Sequence, residues 1–154
     1  MSTSSTRTKA ITIVGVTLLA ILAAYLLMTY YTRITSVGRI KTVGVKVYTA
    51  SDKKTELKAI DWGIIEAGRS ANRSCWIEST SNVPSKLTLY TDLWTPSQAS
   101  NYIILSWSYQ NQTLAPGDLI GVTFYLDTSS VINTLPADQR ITNFSFDIII
   151  VASG

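Results

Sequence analysis

From Ala10 to Thr32 the chain carries no charged side chain, and the basic residues Lys9 and Arg33 close the stretch at its two ends. As an α-helix rising 1.5 Å per residue, these 23 residues would reach about 35 Å, enough to cross a bilayer core with modest tilt. A cleaved export signal has a shorter apolar core and ends in a small-x-small site. Here the far end reads "LLMTYYTR" and offers no such site. Tyr30, Tyr31 and Arg33 are instead the residue types that settle at a membrane interface. The expectation is a basic tail over residues 1–9 and a retained transmembrane helix over 10–32. Ala20 and Ala24, one turn apart, would let a second helix approach closely.

The charge is divided along the chain. Up to Lys41 there are five basic residues (Arg7, Lys9, Arg33, Arg39 and Lys41) and no acid; beyond it, eight Lys/Arg face ten Asp/Glu. Basic flanks of an apolar helix suit phospholipid headgroups. A nucleic-acid interface would need a basic face on the domain itself, so nucleic acid is not expected as a partner. Residues 33–41 read as a short basic linker. Sidedness draws conflicting cues. Arg33, Arg39, Lys41 and Lys46 after the helix outnumber Arg7 and Lys9 before it, which would keep the domain inside. Against this stand three N-x-S/T glycosylation sequons, at Asn72, Asn111 and Asn143, in a domain rich in Ser, Thr, Tyr and Trp. The expectation is an outward-facing domain.

Catalysis is not expected. The chain has no histidine and one cysteine, which removes Ser-His-Asp and Cys-His catalysis, Cys/His zinc sites and any internal disulfide. The carboxylates are dispersed, and Asp127 and Asp138, which bracket a loop, match no calcium-loop pattern. No metal, cofactor or catalytic residue is therefore expected. Cys75 alternates with Ile77 and reads as a small buried hydrophobe.

Past Gly38 the apolar period becomes two, the signature of half-buried strands. Val43, Val45 and Val47 alternate, then Ile60, Trp62 and Ile64, then Cys75 and Ile77. Leu87, Leu89, Thr91 and Leu93 follow on one face, then Ile103, Leu105, Trp107 and Tyr109. Ile120, Val122, Phe124 and Leu126 form another set, and Phe144, Phe146, Ile148 and Ile150 the last. Polar or Gly/Pro turns such as "SDKK", "EAGRS" and "APGD" separate them. About seven short strands over residues 42–154 predict an all-β, immunoglobulin-like antiparallel sandwich. Trp94, Trp107 and Tyr109 are of the type that stacks on sugar rings, although a sandwich also needs such residues in its core.

Two resemblances add to this. "TKAIT", with Lys9, Ala10 and Ile11, is similar to the processing site of archaeal type IV prepilins, which implies cleavage between Ala10 and Ile11 and assembly through the apolar helix. "AIDWGIIEAGRSANRSCWIES", "LAPGDLIGVTFYLD" and "ITNFSFDIIIV" resemble small archaeal proteins with one membrane helix and one Ig-like domain, and CARDB-type sandwiches joined by an "N-x-P" corner. The sequence departs from that pattern at "EAG", where Pro is frequent, and at "TSNVPS", where an acidic-Gly pair is common. The resemblance implies a fold and a membrane setting without an activity. The function expected is a non-enzymatic, single-pass cell-surface protein that presents its domain outside the membrane. Its expected partners are the bilayer, other envelope or membrane proteins, or copies of itself. The alternative is a pilin-like filament subunit.

Overall fold

The computed structural model describes residues 17–19 and 33–154. Thr17–Leu19 are helical, and the chain divides into one unit up to Thr32 and a second from Arg33 to Gly154. Among the described residues no helix is long and apolar enough to cross a membrane; the rest of the 10–32 stretch lies outside them.

The second unit is a sandwich of two four-stranded sheets. In chain order the strands are β1 (Arg33–Val43), β2 (Val45–Tyr48), β3 (Ala59–Glu66), β4 (Ser70–Ser79), β5 (Lys86–Thr95), β6 (Ile103–Trp107), β7 (Leu119–Thr128) and β8 (Asn143–Ser153). The first sheet runs β3-β1-β8-β5 and the second β2-β4-β7-β6. There are thus eight strands where about seven were expected, and the pairing is mixed, because β1 and β8 run parallel from Thr35↔Asn143 to Val43↔Val151.

The expected linker is the largest correction. Residues 33–41 belong to β1, an inner strand of the first sheet. Its inward face runs Ile34, Ser36, Gly38 and Ile40, and is small only at its middle: a Cβ on Gly38 would lie 2.9 Å from Ile148 Cδ1 and 3.2 Å from Trp62 Nε1. Large neighbours fill the space there, so the apolar stripe of β1 is interrupted. At Gly44 (φ +71°) the chain leaves the first sheet for the second, splitting the Val43–Val47 run. Val43 then faces out and Val45 and Val47 face in.

Two bulges shift the alternation elsewhere. The β1–β3 register breaks between Ser36 and Val37, which pair with Gly63 and Asp61, leaving Trp62 as the extra residue. Gly63 sits at φ +74°, where a side chain would be strained. Ile60 and Trp62 are buried before the bulge and Ile65 after it, while Ile64 turns out and is 63% exposed. Arg73 braces this bulge from the second sheet, donating from Nε to the Asp61 carbonyl (3.2 Å) and from Nη2 to the Trp62 carbonyl (3.1 Å). In β5 the register breaks between Asp92 and Thr95, and Leu93 takes a φ of +51°. Leu93 therefore faces solvent and Trp94 stacks on Phe146, with ring centroids 4.2 Å apart.

The core between the sheets follows the alternation of β4, β7 and β8. Cys75, Ile77, Val122, Phe124, Leu126, Phe144, Phe146, Ile148 and Ile150 are all buried. Replacing Phe146 by Ala should cost about 3–5 kcal/mol, because it deletes a buried ring and leaves a cavity under Trp94. Urea unfolding followed by tryptophan fluorescence measures this, and a loss below about 1 kcal/mol would contradict the packing described.

Candidate functional site: the outer face of the first sheet

All-parallel sheets are covered on both faces, whereas a mixed sheet such as β3-β1-β8-β5 can leave one face open. Among the described residues the β1–β8 pair is covered on one face. Its outer face is built from rows across β5, β8 and β1: Thr95, Ser145 and Val37; Asp92, Asp147 and Arg39; Tyr90, Ile149 and Lys41; Thr88, Val151 and Val43. Several apolar side chains stand exposed on it, with Val37 at 40%, Tyr90 at 55% and Val43 at 60%. Ile64 on β3 pairs with Thr35 and extends the patch. Apolar groups gathered on one sheet face mark an interaction surface better than the same groups scattered singly.

One charge anchors the patch. Asp147 is only 2% exposed although it lies on the outer face, and a carboxylate so placed needs a partner. Lys41 provides it, with Nζ 2.6 Å from Oδ2; Arg39 Nε is farther, 3.7 Å from Oδ1. Asp92 sits directly opposite Asp147 across the β5–β8 ladder, where like charges disfavour one another. Arg39 and Lys41, expected as headgroup-facing residues of a linker, are thus placed by β1 over an acid of β8. Asp92 makes no hydrogen bond or ion pair among the described residues and remains available to a partner's cation.

The second sheet's outer face mixes polar residues with the exposed Ile104 and Tyr125. Ser74 and Thr123 share a hydrogen bond of 3.0 Å, and Trp76 lies flat over Gly121. Glu78 accepts from Lys53 Nζ and from the Tyr48 hydroxyl, both at 2.9 Å, which ties the loop between β2 and β3 to the sheet. The Lys53 bond, then the Tyr48 bond, hold the Glu78 carboxyl below its ordinary value, and the Glu78 bond raises the Tyr48 phenol.

Trp94, Trp107 and Tyr109 are all partly buried against the core. Trp94 stacks on Phe146 and Phe144, and Trp107 on Phe124 with ring centroids 6.0 Å apart. Trp107 and Tyr109 are half-buried, 5.2 Å apart, and line an open groove of about 430 Å³ between β5 and β6 with Leu87, Leu89 and Leu105. The Tyr109 hydroxyl accepts from the Leu87 amide (3.0 Å) and donates to the Gln112 carbonyl, holding the groove's two walls together.

The sequon asparagines are all exposed but lie apart: Asn72 in β4, Asn111 in the coil after β6, and Asn143 at the start of β8. Cys75 is buried, and burial pushes its thiol up to about 12. The Ser70 hydroxyl donates to Asp127, Asp138 lies in a short 3-10 turn, and no cluster of metal-binding side chains occurs among the described residues. Lys9, Ala10, Ile11, Ala20, Ala24, Tyr30 and Tyr31 lie outside the described residues, and Arg33 is the first residue of β1. Sequence reasoning passed over Asp147 and its pairing with Lys41. The only signal was an acid inside the apolar run "SFDIIIV".

Three substitutions test these electrostatics. Lys41→Met should destabilise the domain by roughly 1–3 kcal/mol by taking from a buried carboxylate its closer cation, and Asp147→Asn in the same chain should recover part of that. Purely additive losses in the double mutant would show that the pair does not interact. The depressed Glu78 carboxyl contributes stability that is complete above its unfolded value of 4.5 and is lost as pH falls through the lower folded value. Glu78→Gln should flatten that acid-side loss in urea midpoints measured across this range, and an unchanged pH profile would remove the assignment.

No protein-family model matches this chain, and no curated protein shows significant similarity to it.

Proposed function

We propose that this chain is a non-enzymatic, membrane-anchored surface protein: one apolar helix over 10–32 holding an immunoglobulin-like sandwich outside the membrane. The observation that carries this reading is the absence of any spacer. β1 begins at Arg33, one residue after the apolar stretch, and is flanked on both sides by β3 and β8. An anchor entering an inner strand suits a protein whose task is to hold a domain in place. Two packed sheets around one core over about 120 residues are consistent with the Ig-like class.

The basic residues after the helix, which would argue for an inward domain, have another use here. Arg39 and Lys41 serve Asp147, so they need no cytoplasmic explanation. The domain's work is contact through the outer face of the first sheet. The partner is an envelope or membrane protein with an apolar stripe and a cation to meet Asp92. This agrees with the resemblance to small archaeal anchored proteins.

Protease treatment of intact native cells, followed by mass spectrometry of the membrane fraction, tests the reading. Digestion of residues 33–154 from outside, with the 1–32 segment left in the membrane, is the expected result. A domain protected until the cells are lysed would sink it. A mature chain beginning at Ile11 would turn the same helix into a filament core and favour the pilin-like alternative.

A further inference from the structure

The three sequons differ in what surrounds them: Asn111 and Asn143 both line open grooves, but only Asn111 lies in coil and not in a paired strand. In Asn72-Arg73-Ser74 the third-position hydroxyl is engaged with Thr123, and the asparagine pairs with Tyr125 in the β4–β7 ladder. In Asn143-Phe144-Ser145 the third residue is held between Val37 of β1 and Thr95 of β5. A transferase must grip a sequon as a short extended or turned peptide, and strands paired in this way do not present one.

Asn111-Gln112-Thr113 lies in coil. Its middle residue is pinned, since the Gln112 carbonyl accepts from Tyr109 and its side-chain oxygen accepts from the Gln110 amide at 3.2 Å. The two residues that carry the recognition are free: neither the Asn111 amide nor the Thr113 hydroxyl has a hydrogen-bond partner among the described residues. Asn111 adopts φ +61°, a left-handed conformation that asparagine tolerates better than most residues. Asn111 is also part of the lining of the groove between β5 and β6, beside Trp107 and Tyr109. The groove is open, and its volume falls within the usual range of small-ligand sites.

From this geometry we infer that Asn111 is the N-glycosylation site of the protein and that its innermost sugar lies in the Trp107–Tyr109 groove. The donor is a polyprenyl-phosphate-linked saccharide. Asn111 Nδ2 bonds to the anomeric carbon, the bond from that carbon to the donor's phosphate oxygen breaks, and the polyprenyl phosphate leaves. The amide proton passes to a base of the transferase, with no change of oxidation state. The apolar C–H face of the pyranose packs on the aromatic walls, while its hydroxyls face water. The sugar thereby covers the free edges of β5 and β6, which would otherwise offer unpaired backbone groups to another strand.

This inference rests on the outward placement proposed above, and the two can fail separately. The full chain is purified from its native host as wild type, Asn111→Gln and Thr113→Ala, and glycopeptides are mapped by mass spectrometry. Wild type should carry a glycan on the Asn111 peptide, and both variants should lose it. Hydrogen exchange over residues 86–90 and 103–109 should be several-fold slower in the glycosylated chain than in Asn111→Gln. Sugar on Asn72 or Asn143 with none on Asn111 overturns the inference and leaves the outward placement standing. A protease-accessible domain without any glycan does the same, whereas a protected, unglycosylated domain overturns both. A glycan on Asn111 with unchanged exchange over the two edges overturns its seating in the groove.

Discussion

The parallel ladder between the first and last strands is the constraint on which the rest of the domain depends. β8 cannot take its inner position without β1, and β1 is separated from it by about a hundred residues of chain. Once paired, β8 faces two ways. Phe144, Phe146, Ile148 and Ile150 enter the core on one side, while Asp147 stands on the other and needs Lys41 from β1. The same register sets Gly38 against Ile148 and Trp62, so the closeness of β1 to the core and the ion pair on its outer face are one arrangement. Loop closure of this length is costly in entropy, and the apolar contacts of β8 offset it.

Strands with strong alternation were legible in the sequence. Those of β4, β7 and β8 have the expected residues inside, because none of these strands itself carries an extra residue; at the β5–β8 break the bulge is in β5. β1 was hidden for a physical reason. Its inward apolar residues Ile34 and Ile40 are separated by Ser36 and by Gly38, which the bulk of Trp62 and Ile148 keeps small, and its outward positions include Arg39 and Lys41. A strand that yields volume to its neighbours reads as polar linker. Gly63 and Leu93 shifted the pattern by one residue at each bulge, moving Ile64 out and Trp94 in. Turn residues in a sequence mark chain reversals well, but a bulge inside a strand shows only when its partner is known.

The candidate surfaces were legible to different degrees. Sequons and aromatic residues can be found by type, and the structure then shows Trp94, Trp107 and Tyr109 all packed on the core, with Trp107 and Tyr109 also lining the groove. The outer face of the first sheet has no such signature. Val37, Val43, Tyr90 and Ile149 come from three strands, and nothing in any one of them marks an apolar patch. Their grouping is a property of register, as is the opposition of Asp92 and Asp147. A one-residue slip would place Asp147 in the core and the phenylalanines in solvent, so the buried acid penalises the wrong register.

Because β1 and β8 run in the same direction, the chain enters at one end of the ladder and the C-terminal residues leave at the other. A pull at Arg33, resisted at that opposite end, acts along the strands and not across them. Such a load must slide the whole ladder from Thr35 to Val43 together, whereas an antiparallel hairpin pulled from its open end unzips one pair at a time. The entry strand is therefore fastened in shear, the geometry in which a sheet yields last under tension.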